Sequence, residues 1–318
     1  MRISTNSMYQ KNLQNILNTQ SNWQKSGLHL ATGKKILSPS DDPMGSSKSL
    51  ILKQEQARNN QFLATRQSVE KSLARQDTIL KEVTTVVQSI QETLVYAGNE
   101  TLNDTDRADL ANKLQTLKDQ LLSLANSRDS NGNYIFSGTK NDQPPFIVNE
   151  SGEVKYVGGE NPITIFIDET REIPISFTGN KIFMTGANSK EPDGSPSDSN
   201  IFASIDNALK ALSMDLDNGS ESDMALYRDT LAIASRGIDN SFNNISSVRA
   251  AGGALLAETE KLTTLGKTLN IDFETQISEI EDVDWYEAIS EYVMLQANLK
   301  AAQQTFVNMQ NMSLFQLK

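Results

Sequence analysis

The apolar residues near the end of the chain lie on a seam that only a long helix can use. Trp285, Ala288, Tyr292, Leu295, Leu299, Ala302, Phe306 and Met309 step by alternating three and four residues. That spacing lines one face of a helix and calls for a second helix to cover it. The text then runs on as "QTFVNMQNMSLFQLK", residues 304 to 318, adding Met312, Leu314, Phe315 and Leu317. Chain ends are usually polar and unattached, so an apolar tail implies something to pack against.

The same spacing recurs elsewhere with different quality. At the start of the chain, Tyr9, Ile16, Trp23 and Leu30 are seven apart, with Leu13, Gln20 and Gly27 in the intervening slots, so the seam is interrupted. A second pattern over 44 to 97 is best kept at Val69, Leu73, Gln76, Leu80, Val83, Val87, Ile90, Leu94 and Ala97. At about 1.5 Å per residue such a helix approaches roughly 80 Å, which predicts an elongated molecule. Leu110, Leu114, Leu117, Leu121 and Leu124 mark a shorter helix entered through "NDTD", where Asp104 or Thr105 is the expected cap.

The period then changes. From Tyr134 to Met184 the sequence reads "YIFSG", "PFIV", "EVKYVGG", "ITIFID" and "EIPISFTGNKIFM", short β-branched and aromatic runs separated by glycine turns. This predicts a small β module set between helices. The stretch 186 to 200 has prolines and glycines and nothing apolar larger than alanine, so it reads as an exposed connection. Helix resumes at Ile201, Ile205, Leu209 and Leu212. A long seam then runs through Leu231, Ala234, Ile238, Ser241, Ile245, Val248, Gly252, Leu255, Thr259, Leu262, Gly266 and Leu269.

The expected fold is therefore mainly α: a hairpin of long helices with coiled-coil-like termini and an inserted β domain at the far tip. Three domains are expected. Residues 1–43 with 272–318 form a terminal helical assembly domain, 44–132 with 200–271 a helical rod, and 133–199 the β domain with its exposed linker.

Composition narrows the function. The chain has no cysteine, one histidine, and a formal net charge of −11. Disulfides, thiolate metal sites and cysteine nucleophiles are excluded, and a nucleic-acid surface would need clustered bases. No apolar run is long enough to span a membrane, and "MRISTNSMYQKNLQ" lacks the apolar core of a cleaved secretory signal. His29, in "GLHLATG", has no nucleophile pattern around it and reads as structural or solvent-facing.

The remaining motifs also have plain readings. "VGGEN" lacks the spacing and lysine of a phosphate loop and reads as a hairpin turn. "DSNGN", 129 to 133, begins like a calcium loop, but Tyr134 stands where glycine is required and Lys140 where a bidentate carboxylate belongs. It reads as a helix-ending turn. Glu279, Glu281, Asp282 and Asp284 read as a solvated face or helix entrance. No catalytic residue, cofactor or metal is expected.

Charge links the two ends. The first 43 residues carry Arg2, Lys11, Lys25, Lys34 and Lys35 against Asp41 and Asp42, whereas 272 to 318 are strongly acidic. An antiparallel arrangement would bring Lys34 and Lys35 near Asp282, Asp284 and Glu287. Exposed pairs contribute only about 0–1 kcal/mol each, so charge sets register and the seams supply stability. The terminal helix also carries Ile289, Val293, Met294, Val307, Met312 and Phe315 off its seam, more apolar surface than one partner covers. The expected subunit-packing residues are Leu13, Ile16, Trp23, Leu30, Trp285, Tyr292, Leu295, Leu299, Phe306, Met309, Met312 and Phe315.

Three segments carry a family resemblance. "LATGKKILSPSDDPMGSS" (30 to 47) resembles the joint after the first helix in the flagellin superfamily, with Gly33 ending one helix and Asp42 with Pro43 opening the next. The proline after the paired Asp is similar to hook-associated members, where flagellins commonly have alanine. "GNYIFSGT" (132 to 139) and "AAQQTFVNMQNMSLFQLK" (301 to 318) resemble the same branch. The resemblance covers both helical ends, about two thirds of the chain.

It implies a structural, non-enzymatic adaptor of the bacterial flagellum, joining hook to filament and serving motility. It further implies an extracellular destination through type III export without a cleaved signal peptide, and self-association in a tube. Implied partners are another hook-associated protein, flagellin and, before assembly, an export chaperone, with no nucleic acid and no membrane. A filament-forming flagellin is the alternative reading. A ligand-binding or enzymatic module in the β insertion is a third.

Overall fold

The computed structural model describes residues 2–99, 102–185, 200–216 and 220–315, with side chains described from residue 7 to residue 309 within those ranges. The connection expected over 186 to 200 lies almost wholly outside the described residues. Six α-helices are described: α1 (Arg2–Thr32), α2 (Pro43–Ala97), α3 (Asp104–Ala125), α4 (Ile201–Leu212), α5 (Glu221–Glu281) and α6 (Trp285–Phe315). Between α3 and α4 come β1 (Phe146–Val148), β2 (Val154–Tyr156), β3 (Thr164–Phe166) and β4 (Glu172–Pro174), followed by one π-helical turn at Asn180–Met184. The chain is mainly helical with a small β insertion. No described helix is long and apolar enough to cross a membrane.

Contacts divide the chain into two compact units, residues 1–60 with 266–318 and residues 61–265. The larger unit holds the core. Val69, Leu73, Gln76, Leu80, Val83, Val87, Ile90, Leu94 and Ala97 of α2 are all buried, because one heptad face of the helix is covered along this whole length. On α5, Leu231, Ala234, Ile238, Ser241, Ile245 and Val248 are buried in turn. Phe136, Phe146, Phe183 and Phe202 join them, with Phe183 edge-on to Phe136 at 5.6 Å and to Phe146 at 5.4 Å. Edge-to-face pairs of this kind add specificity beyond the area they bury.

Two polar groups of α2 hold the β insertion by its backbone. Gln76 donates from Nε2 to the Phe177 carbonyl at 3.1 Å and accepts from the Phe177 N–H at 3.0 Å. The buried Arg66 donates to the carbonyls of Ile167 (2.8 Å) and Leu262 (3.0 Å). A buried polar side chain is tolerated when its hydrogen bonds are made, which explains a glutamine on an otherwise apolar seam.

The β insertion differs from its expected pattern in three places. β1 pairs antiparallel with β2 and β3 with β4, as two separate two-stranded sheets. "YIFSG" forms no strand: Tyr134 makes one bridge to Arg128, and Phe136 drops into the core. "NKIFM" is the π-helical turn, where Asn244 of α5 donates to the carbonyls of Lys181, Ile182 and Thr185 and so satisfies groups a strand would have paired. "VGGEN" is no hairpin turn, since β2 and β3 do not pair. Gly159 instead donates its N–H to the Ser137 carbonyl at 2.7 Å.

One helix cap and one covered helix face also differ from expectation. The cap of α3 is Asn103, one residue before the expected pair, with a reciprocal capping box to Asp106. On α5 the covered face moves from Leu262 through Gly266 to Asn270, leaving Leu269 exposed. A straight helix turns 3.6 residues while the seam counts 3.5, and the mismatch accumulates. The "DSNGN" turn holds its own carboxylate: Asp129 accepts from the N–H groups of Asn131 (2.8 Å) and Asn133 (2.9 Å), with Gly132 at φ +85.

Candidate assembly surface

The smaller unit is built on α1 and α6, which pack antiparallel. Tyr9 meets Phe306 at 5.0 Å between ring centroids and Trp23 meets Tyr292 at 5.7 Å. The covered residues of α6 are Ala288, Tyr292, Leu295, Leu299, Ala302, Phe306 and Met309, the seam itself, together with Gln296. Trp285 is the exception. It stands 54% exposed at the helix entrance.

The facing side of α1 is less apolar than the spacing predicts. Ile16, Trp23 and Leu30 are covered, but the intervening row is Asn12, Thr19 and Ser26, one residue earlier than Leu13, Gln20 and Gly27. Asn12 finds only the Met309 sulfur, at 3.1 Å, and the buried Trp23 Nε1 has no hydrogen-bond partner. Gly27 borders this row, with the Tyr292 ring 3.3 Å from where its Cβ would stand. Leu13 faces out.

Hydrogen bonds between the two interhelix joints close this unit. Gly33 ends α1 at φ +69, in the left-handed region that favours glycine. Its carbonyl accepts from Val283 at 3.0 Å, while the Lys35 N–H donates to the Glu281 carbonyl at 2.7 Å. Asp42 accepts from the Gly45 N–H at 2.9 Å, and α2 begins at Pro43. A side chain at Gly45 would collide with that Asp42 carboxylate.

Lys34 lies 2.7 Å from Asp282 and 3.2 Å from Glu281, not against Asp284 or Glu287. Glu281 also receives Ser49 and Lys53 of α2, two partners the heptad reading gave no reason to choose. Burial alone would raise the Glu281 pKa, but hydrogen bonds from Lys53, Ser49 and Lys34 outweigh it and bring it down to about 2. Asp41, held by Lys25 and by the Ser38 and Leu37 N–H groups, is likewise lowered to about 2. His29 donates from Nδ1 to the Lys34 carbonyl at 2.8 Å, a structural bond that pins the end of α1.

The seam of this unit is thus occupied within the chain, and the opposite faces are not. Tyr286 is 91% exposed, and Ile289, Val293, Met294 and Val307 on α6 and Met8, Leu13, Leu17 and Leu28 on α1 are all exposed. The side chains of Met312 and Phe315 lie outside the described residues. Among the described residues no group of His, Asp and Glu has the arrangement to hold a metal ion.

Comparison with known proteins places these features in context. Residues 3–141 match the bacterial flagellin N-terminal helical region, and residues 236–317 match the bacterial flagellin C-terminal helical region. The chain is 44% identical over 319 residues to the flagellar hook-associated protein 3 of Escherichia coli, covering 100% of this chain and 99% of that protein. It is 43% identical over 320 residues to the protein of the same name from Salmonella typhimurium, again covering 100% of this chain and 99% of that protein. Among solved structures, a putative flagellar hook-associated protein from Vibrio parahaemolyticus shares the fold with a TM-score of 0.65 at 21% identity. That match covers 76% of this chain and 100% of that one.

Proposed function

Because the chain belongs to the flagellar hook-associated protein 3 family, we propose that it is the structural adaptor joining the hook of the bacterial flagellum to its filament. Identity of 44% along the full length carries this reading. The exposed apolar faces of α1 and α6 supply its physical means. Each large side chain there contributes about 1.5–3 kcal/mol if fully covered, against about 0–1 kcal/mol for an exposed ion pair. Apolar coverage therefore drives assembly, and charge sets register.

In this reading residues 1–43 and 272–318 are the assembly domain, 44–132 and 200–271 the rod, and 133–199 an outer module. Because Tyr292, Leu295, Leu299, Phe306 and Met309 are covered within the chain, packing between subunits passes to Tyr286, Ile289, Val293, Met294, Val307, Leu13 and Leu17. The proposed neighbours are other copies, another hook-associated protein and flagellin, with an export chaperone beforehand. The role is non-enzymatic, and export proceeds without a cleaved signal.

Disrupting the gene in its host and viewing the cells by electron microscopy tests the reading. Hooks without filaments are expected, restored by the full chain but not by one lacking 304 to 318. Filaments on the disrupted cells would overturn it. Long filaments grown by the purified chain unaided would favour a flagellin instead.

A further inference from the structure

Beside the α5–α6 joint, within the smaller unit, is a cleft of ≈ 230 Å³ walled by Ser26, His29, Lys35, Asp284, Glu287 and Glu291. It takes no part in the apolar surface. Asp284 caps α6 through the N–H groups of Tyr286 (2.9 Å) and Glu287 (3.3 Å), and the Lys35 ammonium donates to the Glu279 carbonyl at 2.8 Å. Glu287 and Glu291 make no ion pair, although they stand four apart on one helix, where like charges repel.

A second, independent feature points into the same space. Ser26 is only 6% exposed, lines the cleft and makes no hydrogen bond within the chain. A hydroxyl so placed normally has a partner. Its wall carries three carboxylates, Asp284, Glu287 and Glu291, against the single ammonium of Lys35, so the cleft keeps a net negative charge. Two carboxylates outside any ion pair and one unused hydroxyl are acceptors that suit a further primary ammonium with its charge and three donors.

The chain itself has ammonium groups without partners. Of the bases described on α1 and α6, Lys25 is held by Asp41 at 2.6 Å, whereas Lys11 and Lys300 are exposed and pair with nothing. Neither reaches its own cleft. Lys300 is nine residues beyond Glu291, roughly 14 Å along the helix axis, and Lys11 sits near the opposite end of the pair, where Tyr9 meets Phe306. The unpaired lysines of the α1/α6 pair, Lys300 at the middle of α6 and Lys11 farther toward the Tyr9–Phe306 contact, thus lie away from the acidic cleft and can meet it only between molecules.

We propose that this cleft receives Lys300 or Lys11 from a second copy of the chain, a staggered contact that fixes the register of neighbouring α1/α6 pairs. The proposal rests on the assembly reading above and adds the partner group to it.

The absence of cysteine allows a direct test in flagellated cells. Glu287→Cys is combined with Lys300→Cys or with Lys11→Cys, and the flagella are treated with a short bismaleimide. Covalent multimers of this chain are expected from at least one pair. Glu287→Lys with Glu291→Lys should abolish attachment, and Lys300→Glu with Lys11→Glu should restore it in that background. Cross-links solely to other flagellar proteins, or attachment unchanged by the reversal, would overturn the proposal while leaving the adaptor reading intact. Failure of the unaltered chain to restore filaments would instead remove the adaptor reading.

Discussion

The two units use the same heptad spacing to opposite ends. In 61–265 the seams of α2 and α5 are buried with four phenylalanine rings behind them, and the polar groups on those seams, Gln76 and Arg66, are matched to backbone partners. In 1–60 with 266–318, one side of each terminal helix is covered, the covered row of α1 is half polar, and Tyr286, Val293, Met294 and Leu28 face outward. The first unit completes its core alone. The second keeps apolar surface for a partner, so spacing by itself does not say which molecule fills a seam.

The largest effect should come from breaking the complete core. Phe183→Ala removes a ring that touches both Phe136 and Phe146 and should cost about 3–5 kcal/mol in denaturant unfolding followed by circular dichroism. Phe306→Ala, at a half-covered seam, should cost far less in the free chain yet prevent filament attachment. Equal losses would erase the contrast.

A smaller effect is expected at the joint. Gly33→Ala places a side chain at φ +69, a strain of about 1–2 kcal/mol. Trp23 and Trp285, the chain's two tryptophans, both lie in the smaller unit, so their fluorescence reports this loss separately. A change in tryptophan fluorescence with circular dichroism unaffected is the expected signature.

Acid should act on the same unit. Glu281 has its pKa lowered from 4.5 to about 2, so its stabilisation is fully present above 4.5 and is lost as pH falls through about 2. Lys34 is raised above 10.5, chiefly by its hydrogen bond to Asp282. Its contribution is whole below 10.5 and disappears as pH rises through the folded value. Tryptophan fluorescence should therefore change between pH 4.5 and 2, and Glu281→Gln should flatten that step.

The smallest effect on folding is expected on the outer face. Leu13→Ser should shift stability by no more than about 0.5 kcal/mol while weakening attachment. Amide exchange should likewise be faster across 286–309 than across 80–94 in the free chain, since only the latter has both its seam and its surroundings filled.

Much of the fold was legible in the sequence, and the reason is periodicity. The order of six helices around a β insertion follows from where the period is three-and-four and where it becomes two, and the whole α2 seam from Val69 to Ala97 is buried as its spacing predicts. The candidate surface was less legible. Ser49 and Lys53 carry no periodic signal that would pair them with Glu281, more than two hundred residues away. The covered row of α1 is marked by Asn12, Thr19 and Ser26, which an apolar count passes over in favour of Leu13.

Local spacing and turn chemistry, then, determined which segments are helices, where they are joined and that apolar surface remains at the chain ends. Only the tertiary structure decided which side of α1 and α6 is used internally, that the Leu269 slot passes to Asn270, and that Glu287, Glu291 and Ser26 share one cleft. Each of these depends on how two distant helices meet, and a period read along one strand of text holds no information about the phase of the other.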